Sequence, residues 1–298
     1  MNFWTDKFFV DVSTRSMLEM EGADGLDLLQ RISTNNVADL KVGEHTGTIL
    51  TSDKGRIVDL LFVFRQSADS VIITGASNDP LILQNWIQKF IVMEDVRLKT
   101  LNHEFSQILI CNLQAHELTA DLDESSFHLI NLKYIDIPHR LFIVAKGMEG
   151  RFRAVVNKKG VVQATLKEYE SFRIESAIPG FPNEISSRFN PLEVGLDSLV
   201  SFTKGCYVGQ EVIARLDTYQ KVRKALRRFA LSVLPEHLPS DLHATNGEIV
   251  GILTSAANSI SDENIPIGMG VVSIEHSEEE LSFSVDDADE DGLAKPII

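Results

Sequence analysis

Apolar and polar positions along this chain recur on two periods, and the switches between them mark its elements. Residues 15–22, RSMLEMEG, read as a strand ending at Gly22, and in the following ADGLDLLQRIST the residues Leu26, Leu29 and Ile32 fall at helical spacing. HTGTILTS (45–52), the turn residues Asp53, Lys54 and Gly55, and RIVDLLFVF (56–64) predict a hairpin, with VIITG (71–75) as the next strand. Asn78 or Asp79 can cap a helix with Pro80 in its first turn and Leu83, Trp86, Ile87, Phe90 and Ile91 as its apolar stripe. VRLKTLN (96–102), SQILICNL (106–113) and RLFIVAK (140–146) predict strands, with a short helix from Gln114 and another near Arg151 to Asn157. KEYESFRIESAI (167–178) predicts a helix and PGFPNEISSRFNPLEVG (179–195) an irregular connection. Hairpins mixed with helices, without repeating βαβ units, favour an α+β fold.

Past Arg223 the pattern changes. KALRRFALSVL (224–234), GEIVGILTS (247–255), IPIGMGVVSI (265–274) and ELSFSVDD (280–287) are short, turn-punctuated and β-rich, as expected of a small barrel beginning near residue 223. Glu278, Glu279, Glu280, Asp286, Asp287, Asp289, Glu290 and Asp291 then crowd the end against Lys295, and residues 286–298 read as a solvated acidic tail.

Composition narrows the function classes. With 298 residues and 44% hydrophobic content the chain has room for two or three domains. A net charge of -15 argues against a partner held mainly through phosphates. The longest apolar run, 60–64, falls far short of the roughly 20 residues that span a bilayer. The opening MNFWTDKFFVDV lacks the features of a signal peptide, so a cytoplasmic location without membrane contact is expected. Two cysteines, Cys111 and Cys206, are too few for a four-thiolate iron–sulfur site in one chain, and the eight scattered histidines form no zinc spacing. Cys111, inside ILICNL, reads as a core thiol.

Cys206 is different. In VSFTKGCYVGQEVIARL it lies between Gly205 and Tyr207, two residues after Lys204 and just before a helical segment. The lysine charge and helix N-terminal amides would favour a thiolate there, hence a nucleophile or metal ligand. Gly205 and Gly209 permit conformations or close approaches that a Cβ resists, and Gln210 and Glu211 fall in the first helical turn. For Lys-Gly-Cys alone, an apolar filler under a loop is the simpler reading.

The longer string reverses that preference. KGCYVGQE matches the KGC-aromatic-x-GQE signature and resembles the YgfZ family, relatives of the glycine-cleavage T-protein. VDVSTRSMLEMEGADGLDLLQRISTNNV, LTSDKGRIVDLLFV, ESFRIESAIPGFPNEI, NPLEVGLDSLVSFTKGC, GILTSAANS and IPIGMGVV are similar to the family's segments in the same order. The resemblance implies a T-protein-like cloverleaf of three subdomains around a central folate-sized opening. Residues 1–222 would form two α+β subdomains, roughly 1–47 with 148–222 and 48–147, followed by a barrel over 223–285 and the tail. It implies a tetrahydrofolate-binding accessory protein for synthesis or repair of iron–sulfur clusters in client enzymes, including tRNA-modifying ones. Partners would then be folate and iron–sulfur client or assembly proteins, with tRNA as a further contact to test. Cys206 would contact a cluster, react, or protect folate or clusters through reversible oxidation.

Two alternatives stay open: a folate-dependent aminomethyl or one-carbon transferase or demethylase, and a tRNA- or protein-binding module without folate. T-proteins carry an aspartate in a segment like NASNxxKDxxWI. Here GASNDPLILQNWI, aligned on Trp86, has Leu83 at that position, and an aliphatic group can neither accept a proton nor stabilise a cationic amine. Asp79 would serve only if the register slipped. Glu175, in RIES, takes the family's RxEA-like position, where a carboxylate accepts paired N–H bonds from a pterin; otherwise it would pair with Arg173 or Lys167. Lys204 or Arg188 would hold the folate glutamate tail. Arg215, Lys221, Arg223, Lys224, Arg227 and Arg228 form a basic cluster that could steer an anionic partner, although exposed charges on a barrel strand explain it more simply.

Overall fold

The computed structural model describes residues 6–114, 118, 127–132, 137–219, 221–262, 265–285 and 291–297. The helix expected from Gln114 falls largely outside them. Strands β2 (Met17–Glu21), β3 (His45–Thr51), β4 (Ile57–Arg65), β5 (Ser70–Gly75) and β6 (Arg97–Thr100) form one antiparallel sheet in the order β3-β4-β5-β2-β6. A second sheet, ordered β10-β1-β7-β9-β8, takes β1 (Phe8–Asp11), β7 (Phe105–Cys111), β8 (Phe127–Asn131), β9 (His139–Ala145) and the short β10 (Val162–Gln163).

β4 shows why the apolar run IVDLLFVF forms a central strand. Leu60 and Phe62 face a core shared with the second sheet, while Leu61 and Val63 face a separate core under the helices. A strand buried on both faces loses the polar alternation of a half-exposed one. Helices α1 (Gly25–Ile32) and α2 (Pro80–Gln88) cover that second face with Leu28, Leu29, Ile32, Leu83 and Ile87. α2 starts as expected, with Pro80 at its first position and the Asp79 carboxylate accepting from the Leu81 amide at 2.9 Å. Helix α3 (Glu149–Lys158) follows β9. Helix α4 (Leu166–Glu175) is held by a Thr165/Glu168 capping box and stops short of the expected Ile178, because Ala177 turns left-handed at φ 54 ahead of Pro179.

Strand pairing cuts across the expected subdomains. β3 runs through the boundary drawn at residue 47, and β1 joins the second sheet while β2 joins the first, since the turn between them carries the chain from one ladder to the other.

The C-terminal strands β11 (Lys224–Leu231), β12 (Ser240–His243), β13 (Ile249–Asn258), β14 (Pro266–Ser273), β15 (Leu281–Phe283) and β16 (Gly292–Pro296) close a barrel. β16 corrects the expectation of an acidic tail over 286–298. Residues 286–290 lie outside the described set, but Ala294 is fully buried and pairs with Leu231 on one side and Leu281 on the other, so residues 292–296 supply the strand that closes the barrel.

Candidate functional site

The KGCYVGQE segment is anchored from three directions and leaves its thiol outside. The Lys204 ammonium donates to the carbonyls of Ser33 (2.8 Å) and Asn35 (2.6 Å), where α1 ends and a cation meets the negative pole of the helix. Half-burial lowers its pKa to about 8, which still leaves it protonated at pH 7. The lysine charge is therefore engaged at these carbonyls, an arrangement that does not favour the expected contact with a folate tail. Tyr207 is buried with Val200 and Ile213, and the Val208 amide donates to the Arg31 carbonyl at 3.2 Å. Helix α5 (Gln210–Thr218) begins four residues beyond Cys206, and Glu211 is paired with Arg215 on its surface at 2.8 Å. Cys206 is exposed, and Gly205 beside it borders open space.

Gly209 locks this segment onto the β3–β4 hairpin. Its φ is 84°, and a Cβ there would lie 2.4 Å from the Ser52 carbonyl oxygen. Thr51 Oγ1 donates to the Val208 carbonyl at 2.6 Å, and across the contact Gly55 faces Val212 and Ile213. Two stretches far apart in sequence, SDKGR and VGQE, thus interlock through glycines.

The end of α4 gathers a second set of groups. Glu175 accepts hydrogen bonds from the Ser259 hydroxyl and the Ile260 amide through one carboxylate oxygen, and its carbonyl accepts from Arg228 of β11. This is neither of the alternative pairings expected for it. Arg173, 4% exposed, reaches Glu170, Glu184 (2.9 Å) and Ser255 (2.8 Å) instead. Glu184 is wholly buried and also accepts from the Gly180 amide, Thr254 and Ser255. Arg188 is exposed, with its carbonyl accepting from Arg56 at 2.9 Å. Glu175, Arg188 and the 204–211 segment are each tied to different neighbours, and among the described residues no contact joins them into one constellation.

A group the sequence reading missed lies under the GASN turn. Asp59, fully buried, accepts from the amides of Leu60, Ala76 and Ser77 and from the Ser77 hydroxyl. Burial raises its pKa to about 6 despite these bonds. A lone acid inside the apolar run IVDLLFVF was the available signal. Leu83 is also fully buried, so the α2 position aligned with the T-protein aspartate points into the core, while Asp79 is exposed and caps the helix.

The basic cluster is partly spent on structure, with Arg215 on Glu211, Arg228 on Glu175 and Lys221 lying 5.0 Å from the Tyr219 ring. Cys111 is buried, which pushes its thiol well above the usual range. No group of three or more metal-ligating side chains occurs among the described residues, and none of their helices is long and apolar enough to cross a membrane.

This architecture has a solved counterpart. The glycine cleavage system aminomethyltransferase T of Bartonella henselae superposes with a TM-score of 0.80 at 16% identity, over 99% of this chain and 86% of that one. The chain has the T-protein fold. Residues 5–146 match the GCVT N-terminal domain family. An aminomethyltransferase of Halalkalibacterium halodurans is 23% identical, covering 90% of this chain and 79% of the relative. Another from Listeria monocytogenes serotype 4a is 24% identical, covering 86% and 75%.

Proposed function

We propose that this protein binds tetrahydrofolate and works in folate-dependent chemistry. The observation that carries the reading is the T-protein fold running through nearly the whole chain, sheets and barrel included. Glu175 ends α4 half-buried at the barrel loop, and the carboxylate oxygen left over from Ser259 and Ile260 is the acceptor we assign to a pterin amine. The named activity of the relatives, aminomethyl transfer, makes folate-dependent one-carbon transfer the first activity to test.

A second reading rests on two particular observations. Leu83 is buried where a T-protein has its aspartate, and Cys206 stands exposed on a firmly anchored segment. These favour an accessory role in which the thiol acts on a partner's iron–sulfur cluster, whose remaining ligands come from elsewhere. RNA contact at the basic cluster has no observation in its favour beyond charge.

Titration calorimetry with tetrahydrofolate tests the shared premise, with heat expected for the wild-type protein and weaker binding for Glu175→Ala. Undetectable binding by wild type would remove both readings. Formation of methylenetetrahydrofolate from a lipoyl-bound aminomethyl donor supports transfer. If no transfer occurs, rescue of iron–sulfur enzyme activity in a deficient strain by wild type but not by Cys206→Ala supports the accessory role.

A further inference from the structure

A cavity of about 170 Å³ opens where β3 and β4 of the first sheet meet β8 of the second. Phe62 and Leu199 are its apolar walls, and Ser198 stands exposed at the rim. The volume is close to the roughly 150 Å³ of a cavity that encloses one benzene ring.

Its polar lining divides into committed and uncommitted groups. The Asn35 side chain donates to the Gly47 carbonyl at 2.8 Å and accepts from the Asn36 amide at 2.9 Å. His45 Nε2 accepts from the Asn131 backbone amide at 2.9 Å. The side-chain amide of Asn131 and the hydroxyl of Ser198 have no hydrogen-bond partner among the described residues. One amide and one hydroxyl beside an aromatic wall, with no acidic, lysine or arginine side chain among the described residues of the lining, suit a flat neutral molecule that both donates and accepts hydrogen bonds.

The cavity is wired to the Cys206 segment. Asn35, which lines it, offers its carbonyl to the Lys204 ammonium at 2.6 Å. Leu199, its opposite wall, has its carbonyl held by Thr34 Oγ1 at 2.7 Å, and the Thr34 carbonyl accepts the Ser201 amide at 3.0 Å. A ligand that displaces Asn35 or Leu199 therefore pulls on the loop that carries the exposed thiol.

We propose that this cavity binds a neutral aryl amide or heteroaromatic ring, and that occupancy is transmitted to the Cys206 loop through the Asn35–Lys204 contact. The inference is independent of the folate reading and stands whether or not folate binds.

The test uses 4-aminobenzamide as probe on the intact chain. Saturation-transfer NMR should report saturable binding, weaker for its anionic counterpart 4-aminobenzoate because neither lysine nor arginine is among the described residues that line the cavity. Saturating probe should change the rate of Cys206 alkylation by iodoacetamide about fivefold or more, the lower end of ordinary coupling between sites. Cys111, being buried, does not compete in this assay. Ser198→Phe, which fills the cavity, and Asn131→Ala, which removes its amide, should each abolish the binding while Cys206 still alkylates. Lys204→Met should keep probe binding and lose the rate change. Absence of saturable binding, or binding unimpaired in both cavity variants, overturns the site. An unchanged alkylation rate in wild type, or a rate change that survives in Lys204→Met, overturns the coupling.

Discussion

Two buried titratable side chains, one in each sheet, shift in opposite senses. Asp59 sits at about 6 against an ordinary 3.8, because burial disfavours its anion. His139, stacked on Phe172 with ring centroids 5.6 Å apart, is pushed down to about 4 from 6.5, also by burial. The raised carboxyl means that the folded chain holds a proton the unfolded chain has lost. Its contribution is full below pH 3.8 and disappears as pH climbs through about 6, a swing of about 3 kcal/mol at 1.36 kcal/mol per unit. The depressed histidine does the reverse, since below pH 6.5 the unfolded chain takes up a proton that the fold refuses. Stability is then lost as pH falls toward about 4, again by about 3 kcal/mol. In wild type the two largely offset each other between pH 4 and 6. Urea midpoints measured across that range should fall steeply with acidification in Asp59→Asn, where the histidine term stands alone. They should rise with acidification in His139→Phe. Parallel profiles for the three proteins would show that neither shift exists.

At the scale of elements, the contact between the β3–β4 hairpin and the start of α5 depends on one residue with no side chain. Gly209→Ala combines a left-handed φ with a Cβ 2.4 Å from a carbonyl, and strain of this kind costs about 1–3 kcal/mol. Gly205→Ala is the control, because nothing lies within 4 Å of its added Cβ and its φ is not in the left-handed range. Denaturation should separate the two variants by at least about 1 kcal/mol, with amide shifts in Gly209→Ala concentrated at 51–56 and 204–213. The same contact explains what could be read in advance. Asp79 and Pro80 announced α2, and the turn at 53–55 announced the hairpin, because caps and turns are local chemistry. Cys206 as an exposed thiol was legible from its glycine neighbour and motif. The destination of Lys204 was not, because its partners Ser33 and Asn35 lie about 170 residues away and offer backbone carbonyls, which have no sequence signature. β12 and β16 were missed for a related reason: each is short, and β16 is buried through Ala294 by strands that close around it.

Across the whole molecule, the barrel is held by its own closure and by a buried ionic contact with α4. Deleting residues 291–298 removes β16 and opens the ladder between β11 and β15, exposing Phe229 and Phe283 of the barrel core. That truncation should bind an apolar dye and lose the barrel's slow amide exchange, whereas ending the chain at 297 should change neither. The ionic contact runs from Arg173 to Glu184 and on to Thr254 and Ser255 of β13, joining helix, irregular loop and barrel in one buried cluster. Burying two charges is costly, so the pair need not add net stability, yet stranding either one is expensive. Glu184→Ala leaves the Arg173 guanidinium with Glu170 alone as its anion and should cost about 3–5 kcal/mol, as should Arg173→Met, which strands the carboxylate. The double variant Arg173→Met/Glu184→Leu fills the space with apolar groups and should be more stable than either single change. A double variant no better than the worse single one would mean that the cluster's neutral hydrogen bonds to Ser255 and Thr254, not the pairing of its charges, hold the barrel against α4.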